Sequence, residues 1–303
     1  MKKISYLVLL LVLAIGCNQE KPKGWIDYER LQNQDSKDWL TIGGNQMMQH
    51  YSPLNLINKN NVKDLGLAWE YDASTYIGNV PRGLEATPIV VDGNMYTSGA
   101  WGAVYALDAK TGKELWAYKP DVDASYGRRA CCDVVNRGLA VWEGKVYVGT
   151  LDGFLVCLDA ATGSVLWRMD TFTDRTKGYT ITSPPQVAGN IVMIGNSGGE
   201  YGVRGYLTAY DLKTGEQKWR FWIVPGDPAN GHESEEMEMA AKTWDPNSQW
   251  PSGMGGTVWG ESAYDRELNL LYIGTGNSTP YPIWFRSPAG GDNLFLSSII
   301  AIN

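Results

Sequence analysis

The chain has 303 residues, enough for one large domain or two small ones. At 44% hydrophobic and 19% charged residues its composition is globular, and a formal charge of −7 gives no electrostatic footprint for a nucleic-acid partner. The 2 His argue against a His-rich metal centre, and the 4 Cys contain no C-x-x-C or C-x-x-C-H, which excludes zinc ribbons, thioredoxin-like sites and c-type haem attachment from this stretch.

In chain order, Lys2 and Lys3 precede an apolar run over residues 4–16. That run is shorter than the roughly 20 residues of a spanning helix and fits the core of a signal peptide. It ends in Ala14-Ile15-Gly16-Cys17, which resembles a bacterial lipobox. Residues 1–16 are therefore expected to be a lipoprotein signal peptide and Cys17 to be lipidated. An ordinary signal peptide with an incidental Cys is the alternative. Export would place the chain on the periplasmic side of a bacterial membrane, lipid-anchored in the outer membrane, where disulfides persist. Residues 17–38 read as a tether and N-terminal segment, with a polar stretch over 18–24, and a strand is expected near 67–69.

Three segments then share the pattern D-x-x-T-G-x-x-x-W. They run from Asp108 through Thr111-Gly112 to Trp116, from Asp159 through Thr162-Gly163 to Trp167, and from Asp211 through Thr214-Gly215 to Trp219. The tryptophans recur at intervals of 51 and 52 residues, and a fixed period of this size signals a stacked or propeller architecture. Asp with Thr-Gly builds a tight turn, Gly being free to take positive φ. Apolar strands over 89–91, 145–148 and 191–194 sit beside turn signals at Asp92-Gly93-Asn94, Glu143-Gly144 and Ala188-Gly189-Asn190. Four short strands per repeat make a blade, and each Trp can wedge against the next blade. Cys157, in an apolar strand, reads as a small core residue.

The segment 225–251 interrupts the repeat with an acidic run, Glu233, Glu235, Glu236 and Glu238, on a short helix. It is either a solvated loop or a lid or partner surface. A fourth unit begins near Gly256, and Ala301-Ile302-Asn303 occupies the place that Ala106-Leu107-Asp108 holds in the first repeat. The expected fold over 39–303 is all-β, an incomplete β-propeller of three full blades and most of a fourth. On this reading the chain is an N-terminal fragment whose open arc needs the remainder of its own propeller.

Two further motifs carry a resemblance. Arg129-Ala130-Cys131-Cys132-Asp133-Val134-Val135-Asn136-Arg137-Gly138 resembles the vicinal-disulfide motif of the pyrroloquinoline quinone (PQQ)-dependent alcohol dehydrogenases. Ser197-Gly198-Gly199-Glu200-Tyr201-Gly202-Val203-Arg204-Gly205 resembles that family's metal-ligand segment. Asn45-Gln46 and Tyr51-Ser52-Pro53-Leu54 resemble its N-terminal signature, with His50 where a basic residue is usual, and the likeness runs from about Trp39 to the end.

The resemblance implies an eight-bladed, tryptophan-docked propeller that oxidises a small alcohol to an aldehyde and passes electrons to a cytochrome c or similar acceptor. PQQ and Ca²⁺ are the implied cofactors, with a lanthanide open in place of calcium. A Cys131–Cys132 disulfide would cap one face of the quinone and Trp259 would stack on the other. Glu200 and Asn277 match the metal ligands, with loop-acid and turn-residue readings as their plain alternatives. Glu85, Arg137, Thr182, Ser197 and Thr257 match positions that hydrogen-bond the cofactor, and Val135, Gly198 and Gly199 match its backbone lining. The family's catalytic Asp lies beyond the fourth repeat turn, and Asp292 is not at that position. The expectation is about half a cofactor site, with no catalytic residue in this stretch. The competing readings are a non-enzymatic propeller lipoprotein that assists outer-membrane protein assembly, which would lack the Cys pair and metal ligands, and a PQQ-dependent sugar or polyol dehydrogenase.

Overall fold

The apolar runs between the turn signals form three four-stranded sheets, one three-stranded sheet and a two-stranded ladder in a computed structural model, which describes residues 21–303 apart from 36, 74–76 and 79. The signal-peptide segment and the lipidation expected at Cys17 lie outside the described residues. A short helix α1 (Tyr28–Gln32) comes first. The first blade is β1 (Ile89–Val91), β2 (Asn94–Ser98), β3 (Val104–Asp108) and β4 (Glu114–Tyr118), antiparallel and in sequential order. The second is β5 (Ala140–Trp142), β6 (Lys145–Gly149), β7 (Phe154–Asp159) and β8 (Val165–Asp170). The third is β9 (Gln186–Ala188), β10 (Ile191–Gly195), β11 (Tyr206–Asp211) and β12 (Gln217–Trp222). Of the acidic run expected on a short helix, Glu235, Glu236 and Glu238 lie on α2 (Glu235–Ala241), capped by Ser234, whereas Glu233 precedes the helix and pairs with Arg204. Then come β13 (Met254–Gly255), β14 (Ser262–Asp265), β15 (Leu270–Gly274), β16 (Ser278–Thr279) and β17 (Ile299–Ile302). Of these, β14, β15 and β17 form a three-stranded sheet and β13 pairs with β16. This is the expected propeller arc, and the sheets do not close into a ring.

The blades stack because their middle strands are apolar on both faces. Residues 155–158 of β7 and 206–210 of β11 are buried throughout, whereas the outermost strands β4, β8 and β12 carry the exposed residues. The repeat turns show why Asp, Thr and Gly are needed together. Asp108 Oδ1 accepts from the Lys110 and Thr111 amides at 3.1 and 2.8 Å and from Thr111 Oγ1 at 2.7 Å. Asp159 and Asp211 do the same in their turns. Gly112 closes its turn at φ +71°, and a Cβ there would lie 2.5 Å from the Trp69 ring. Gly163 meets Trp116 at 2.5 Å and Gly215 meets Trp167 at 2.9 Å in the same way. Each tryptophan thus lies on the turn of the following blade, and the indole nitrogens of Trp116 and Trp167 donate to Ala160 O and Leu212 O at 3.1 and 3.4 Å.

Two expectations need correction. No strand forms near 67–69: that stretch has no ladder partner among the described residues, and Leu67 is 82% exposed. Trp69 instead docks on the first repeat turn. The N-terminal segment is not a free tether from residue 21 onward. Gly24 O and Ile26 O accept from the Gly144 and Glu143 amides at 3.2 and 2.9 Å, Ile26 is fully buried, and Tyr28 meets Trp142 edge-on at 4.8 Å. The cause is mutual need: the β5–β6 hairpin has amides to satisfy, and Ile26 and Tyr28 have apolar surface to bury. The chain then bridges to β1 at Trp39 and Val90, and to β14 through Tyr264 N→Gln46 O at 2.9 Å. His50 reaches Glu261 at 3.0 Å. One segment therefore stitches the arc from its first sheet to its fourth.

Asp27 is the keystone of that segment. It caps α1 through the Arg30 amide at 2.8 Å and accepts from Trp25 Nε1 at 2.6 Å and Lys21 Nζ at 2.9 Å. Burial pushes its carboxyl up, but these bonds outweigh burial and hold it at about 2, below its ordinary 3.8. A depressed carboxyl stabilises the fold above the ordinary value, and that contribution is lost as pH falls towards 2. Asp27→Ala is expected to loosen the segment by about 1 kcal/mol, read as faster tryptic cleavage after Arg30. Between pH 4 and 2 the wild type should lose its advantage over the variant in denaturant stability; a difference that stays constant there would remove Asp27 from this role.

Candidate cofactor site

In an antiparallel blade, the start of the first strand and the end of the second lie at one end, and the repeat turns lie at the other. Every expected site residue comes from that first end. Glu85, the 131–137 segment, Thr182 and Thr257–Trp259 precede β1, β5, β9 and β14, while residues 197–200 and Asn277 follow β10 and β15. There the loops line a cleft with about 510 Å³ of empty space, part of it open to solvent.

Arg137 organises one wall. Its amide donates to Thr182 O at 3.0 Å, its Nη1 to Thr182 Oγ1 at 2.6 Å, and its Nη2 lies 3.0 Å from Glu85 Oε2. Thr182 Oγ1 continues the row to Ser197 Oγ at 2.7 Å, and Ser197 is fixed by its own amide to Thr180 O at 2.8 Å. Trp259 is 45% exposed, and the Arg137 guanidinium lies 5.0 Å from its ring centroid, a cation–π contact. The indole is supported from below: Gly276 N donates to Thr257 O at 2.9 Å, and a Cβ on Gly276 would reach Trp259 Nε1 at 3.3 Å.

Glu200 projects from a tight turn between Gly198 and Gly202, at φ +97° and +73°. Thr279 Oγ1 donates to Gly199 O and ties this turn to β16. Asn277 spends its Nδ2 on Ser278 O at 3.2 Å, and its Oδ1 takes no hydrogen bond among the described residues. Glu200 and Asn277 line the same cavity. No three of His, Cys, Asp and Glu converge on a metal position among the described residues. The donor set is thus one carboxylate and one amide oxygen, both hard, which fits an oxygen-seeking cation completed by a ligand's own atoms.

The expected Cys131–Cys132 disulfide is not formed in the structure. Both thiols are free and exposed, with sulfurs 2.8 Å apart, beyond the roughly 2.05 Å of the bond. Burial, then the Cys132 contact, then the Glu200 charge push the Cys131 thiol up to about 12. Cys157 is fully buried, as expected of a core residue.

The cavity gathers Cys131, Cys132, Arg137, Thr182, Ser197, Gly198, Glu200, Thr257, Trp259 and Asn277. Glu85 joins through its ion pair with Arg137. Val135 and Gly199, expected to contribute backbone, lie close to these lining residues in the chain. Val135 is buried, its Cγ1 turned towards Gly83, and Gly199 faces Thr257, whose Oγ1 would sit 3.2 Å from an added Cβ. The sequence reading missed Ala130, Asp133 and Thr180 as lining residues. Ala130 and Asp133 flank the Cys pair directly, and Thr180 shares the face of Thr182 by the two-residue period of extended chain.

A flat indole, a guanidinium–hydroxyl row and two hard oxygen donors suit a flat, acidic, metal-chelating ligand. Propeller and cavity together define a protein class in which blades frame such a cofactor. Residues 39–303 match the family described as PQQ: Glucose/ethanol/alcohol dehydrogenase, beta-propeller domain. The chain belongs to the PQQ-dependent alcohol dehydrogenase family. It is 51% identical over 278 residues to the quinohemoprotein alcohol dehydrogenase of Comamonas testosteroni, covering 91% of this chain and 39% of that protein. The crystal structure of that enzyme superposes with a TM-score of 0.87 over 92% of this chain and 41% of its own. The 1-butanol dehydrogenase (cytochrome c) of Thauera butanivorans is 48% identical over 274 residues, 88% of this chain and 38% of that protein. A europium-containing methanol dehydrogenase is 40% identical with a TM-score of 0.78, over 90% of this chain and 48% of that one. The chain thus spans about two fifths of the length of the curated relatives it matches.

Proposed function

We propose that this chain forms the cofactor-facing part of a PQQ- and calcium-dependent dehydrogenase that oxidises a small alcohol to an aldehyde. The observation that carries the reading is the single cavity uniting Trp259, the Arg137–Thr182–Ser197 row, Glu200 and Asn277. Bound there, a metal–quinone pair supplies the electrophile and the two-electron sink for the oxidation. Arg137, Thr182, Ser197 and Thr257 orient the cofactor's acidic and carbonyl groups, and Glu85 keeps the Arg137 fork aligned. Trp259 would take one face of the ring by stacking on its exposed indole, beside which the Arg137 guanidinium lies. Glu200 Oε and Asn277 Oδ1 hold the metal. Cys131 and Cys132 cap the opposite face, closed to a disulfide in an oxidising compartment.

Electrons leave to a cytochrome c or similar acceptor, a reading supported by the relative from Thauera butanivorans, a 1-butanol dehydrogenase (cytochrome c). The europium-containing relative makes a lanthanide the specific alternative to calcium at these two oxygens. We place the protein on the periplasmic side of a bacterial membrane, anchored through a lipid on Cys17, on the strength of the N-terminal sequence. The test is titration of the chain with PQQ and Ca²⁺, followed by tryptophan fluorescence. Saturable quenching that needs both components and disappears in Trp259→Phe is expected. Binding that ignores the metal, or no binding with Ca²⁺ or a lanthanide, overturns the reading.

A further inference from the structure

The wall that carries the Cys pair is held from outside by a second loop. Residues 80–88 lie over residues 131–137, and the two segments meet at three points. Arg82 Nη1 reaches Asp133 Oδ1 at 3.0 Å, directly beside Cys132. Gly83 passes over Val135, where an added Cβ would lie 3.6 Å from Cγ1. Glu85 Oε2 reaches Arg137 Nη2 at 3.0 Å, at the other end of the wall. The polarities are crossed: the outer loop offers a cation to the cysteine end and an anion to the arginine end. Sliding the loop along the wall would bring Arg82 towards Arg137, or Glu85 towards Asp133, so like charges oppose any other register.

Asp133 is also where the wall bends. It sits at φ +68°, a left-handed conformation that Asp and Asn tolerate better than most residues. Asp133 is among the residues lining the cavity, so the ion pair closes at the cavity's edge. The Arg82 and Asp133 side chains are 32% and 38% exposed, which sets the expected effect as modest.

We propose that Arg82 is a positioning residue: through Asp133 it fixes the left-handed bend that presents Cys131 and Cys132 to the cavity, and with Glu85 it forms a two-ended clamp. The geometric part stands without any cofactor. Its consequence for PQQ binding rests on the function proposed above.

The test uses the ligand-free full chain and hydrogen–deuterium exchange in peptides spanning residues 130–137, with β5–β8 as the internal reference. Arg82→Gln and Asp133→Asn, the latter keeping a residue that tolerates the bend, should each speed exchange there about two- to fivefold. The double variant should match the singles, Arg82→Lys should stay close to wild type, and β5–β8 should not change. Unchanged exchange in both single variants overturns the clamp, as do effects that multiply in the double variant or an Arg82→Lys that behaves like Arg82→Gln. A second arm measures PQQ affinity with Ca²⁺, expected to fall by a similar factor in Arg82→Gln. If the wild type binds no PQQ, the proposed function fails while the exchange arm still decides the clamp.

Discussion

Glu200→Gln is expected to weaken Ca²⁺ binding in the presence of PQQ about 100-fold, some 2.7 kcal/mol, with little effect on folding. Of the two acidic residues lining the cavity among the described residues, Asp133 is paired with Arg82, so the substitution removes the anionic ligand proposed for the metal while keeping the side chain's shape. Folding should be spared for a local reason. The carboxylate is exposed and forms no ion pair among the described residues. What holds the turn is backbone: Gly198 and Gly202 at positive φ, and the bond from Thr279 to Gly199 O. Unfolding stability should therefore stay within about 0.5 kcal/mol of wild type. Calorimetric titration of Ca²⁺ into the PQQ-loaded protein reads the first effect, and urea unfolding of the ligand-free chain reads the second. Equal affinity in the two proteins would exclude Glu200 as a ligand. A large stability loss would show that its side chain braces the turn.

The contrast between parts of this chain shows what a sequence carries openly. The blades were legible because their turn chemistry is local: Asp108 binds residues two and three positions on, and the motif repeats. The partner of each docking Trp lies in the next repeat, but the fixed period exposes it. The cavity was legible through two contiguous motifs that happen to fold to one end. The N-terminal segment was not, because its docking is decided by the amides of Glu143 and Gly144, more than a hundred residues away. Polar composition over 18–24 masks the two residues, Ile26 and Tyr28, that find apolar partners. Trp69 reads as a strand residue until the turn at Gly112 is seen beneath it. Val135 and Arg82 show the remaining gap. Adjacency to the Cys pair does not say that the Val135 side chain packs beside Gly83, and Arg82 belongs to no motif at all.

Gly205→Ala should be the most damaging single-methyl change near the site, because it acts on a seam of backbone against backbone. A Cβ at position 205 would lie 2.0 Å from Gly256 O, 2.3 Å from its carbonyl carbon and 2.7 Å from Thr257 N. None of these atoms can swing aside as a side chain would. Gly205 is also pinned from both sides, by its amide to Gly255 O at 2.8 Å and by Ile223 N to its own carbonyl at 2.9 Å. Relief requires the third and fourth blades to part by more than a bond's width of slack, and a packed interior resists that at a cost of about 3 kcal/mol. The same movement carries residues 256–259 outward, and with them Thr257 and Trp259. Stability and cofactor affinity should therefore fall together. Gly260→Ala separates this from mere proximity: it neighbours Trp259, yet nothing lies within 4 Å of its added Cβ, so its effect should stay within about 0.5 kcal/mol. Urea unfolding and PQQ titration of both variants test the argument. A Gly205→Ala protein as stable as wild type would mean that the seam yields without strain, and one that is destabilised but binds PQQ normally would uncouple the seam from the site.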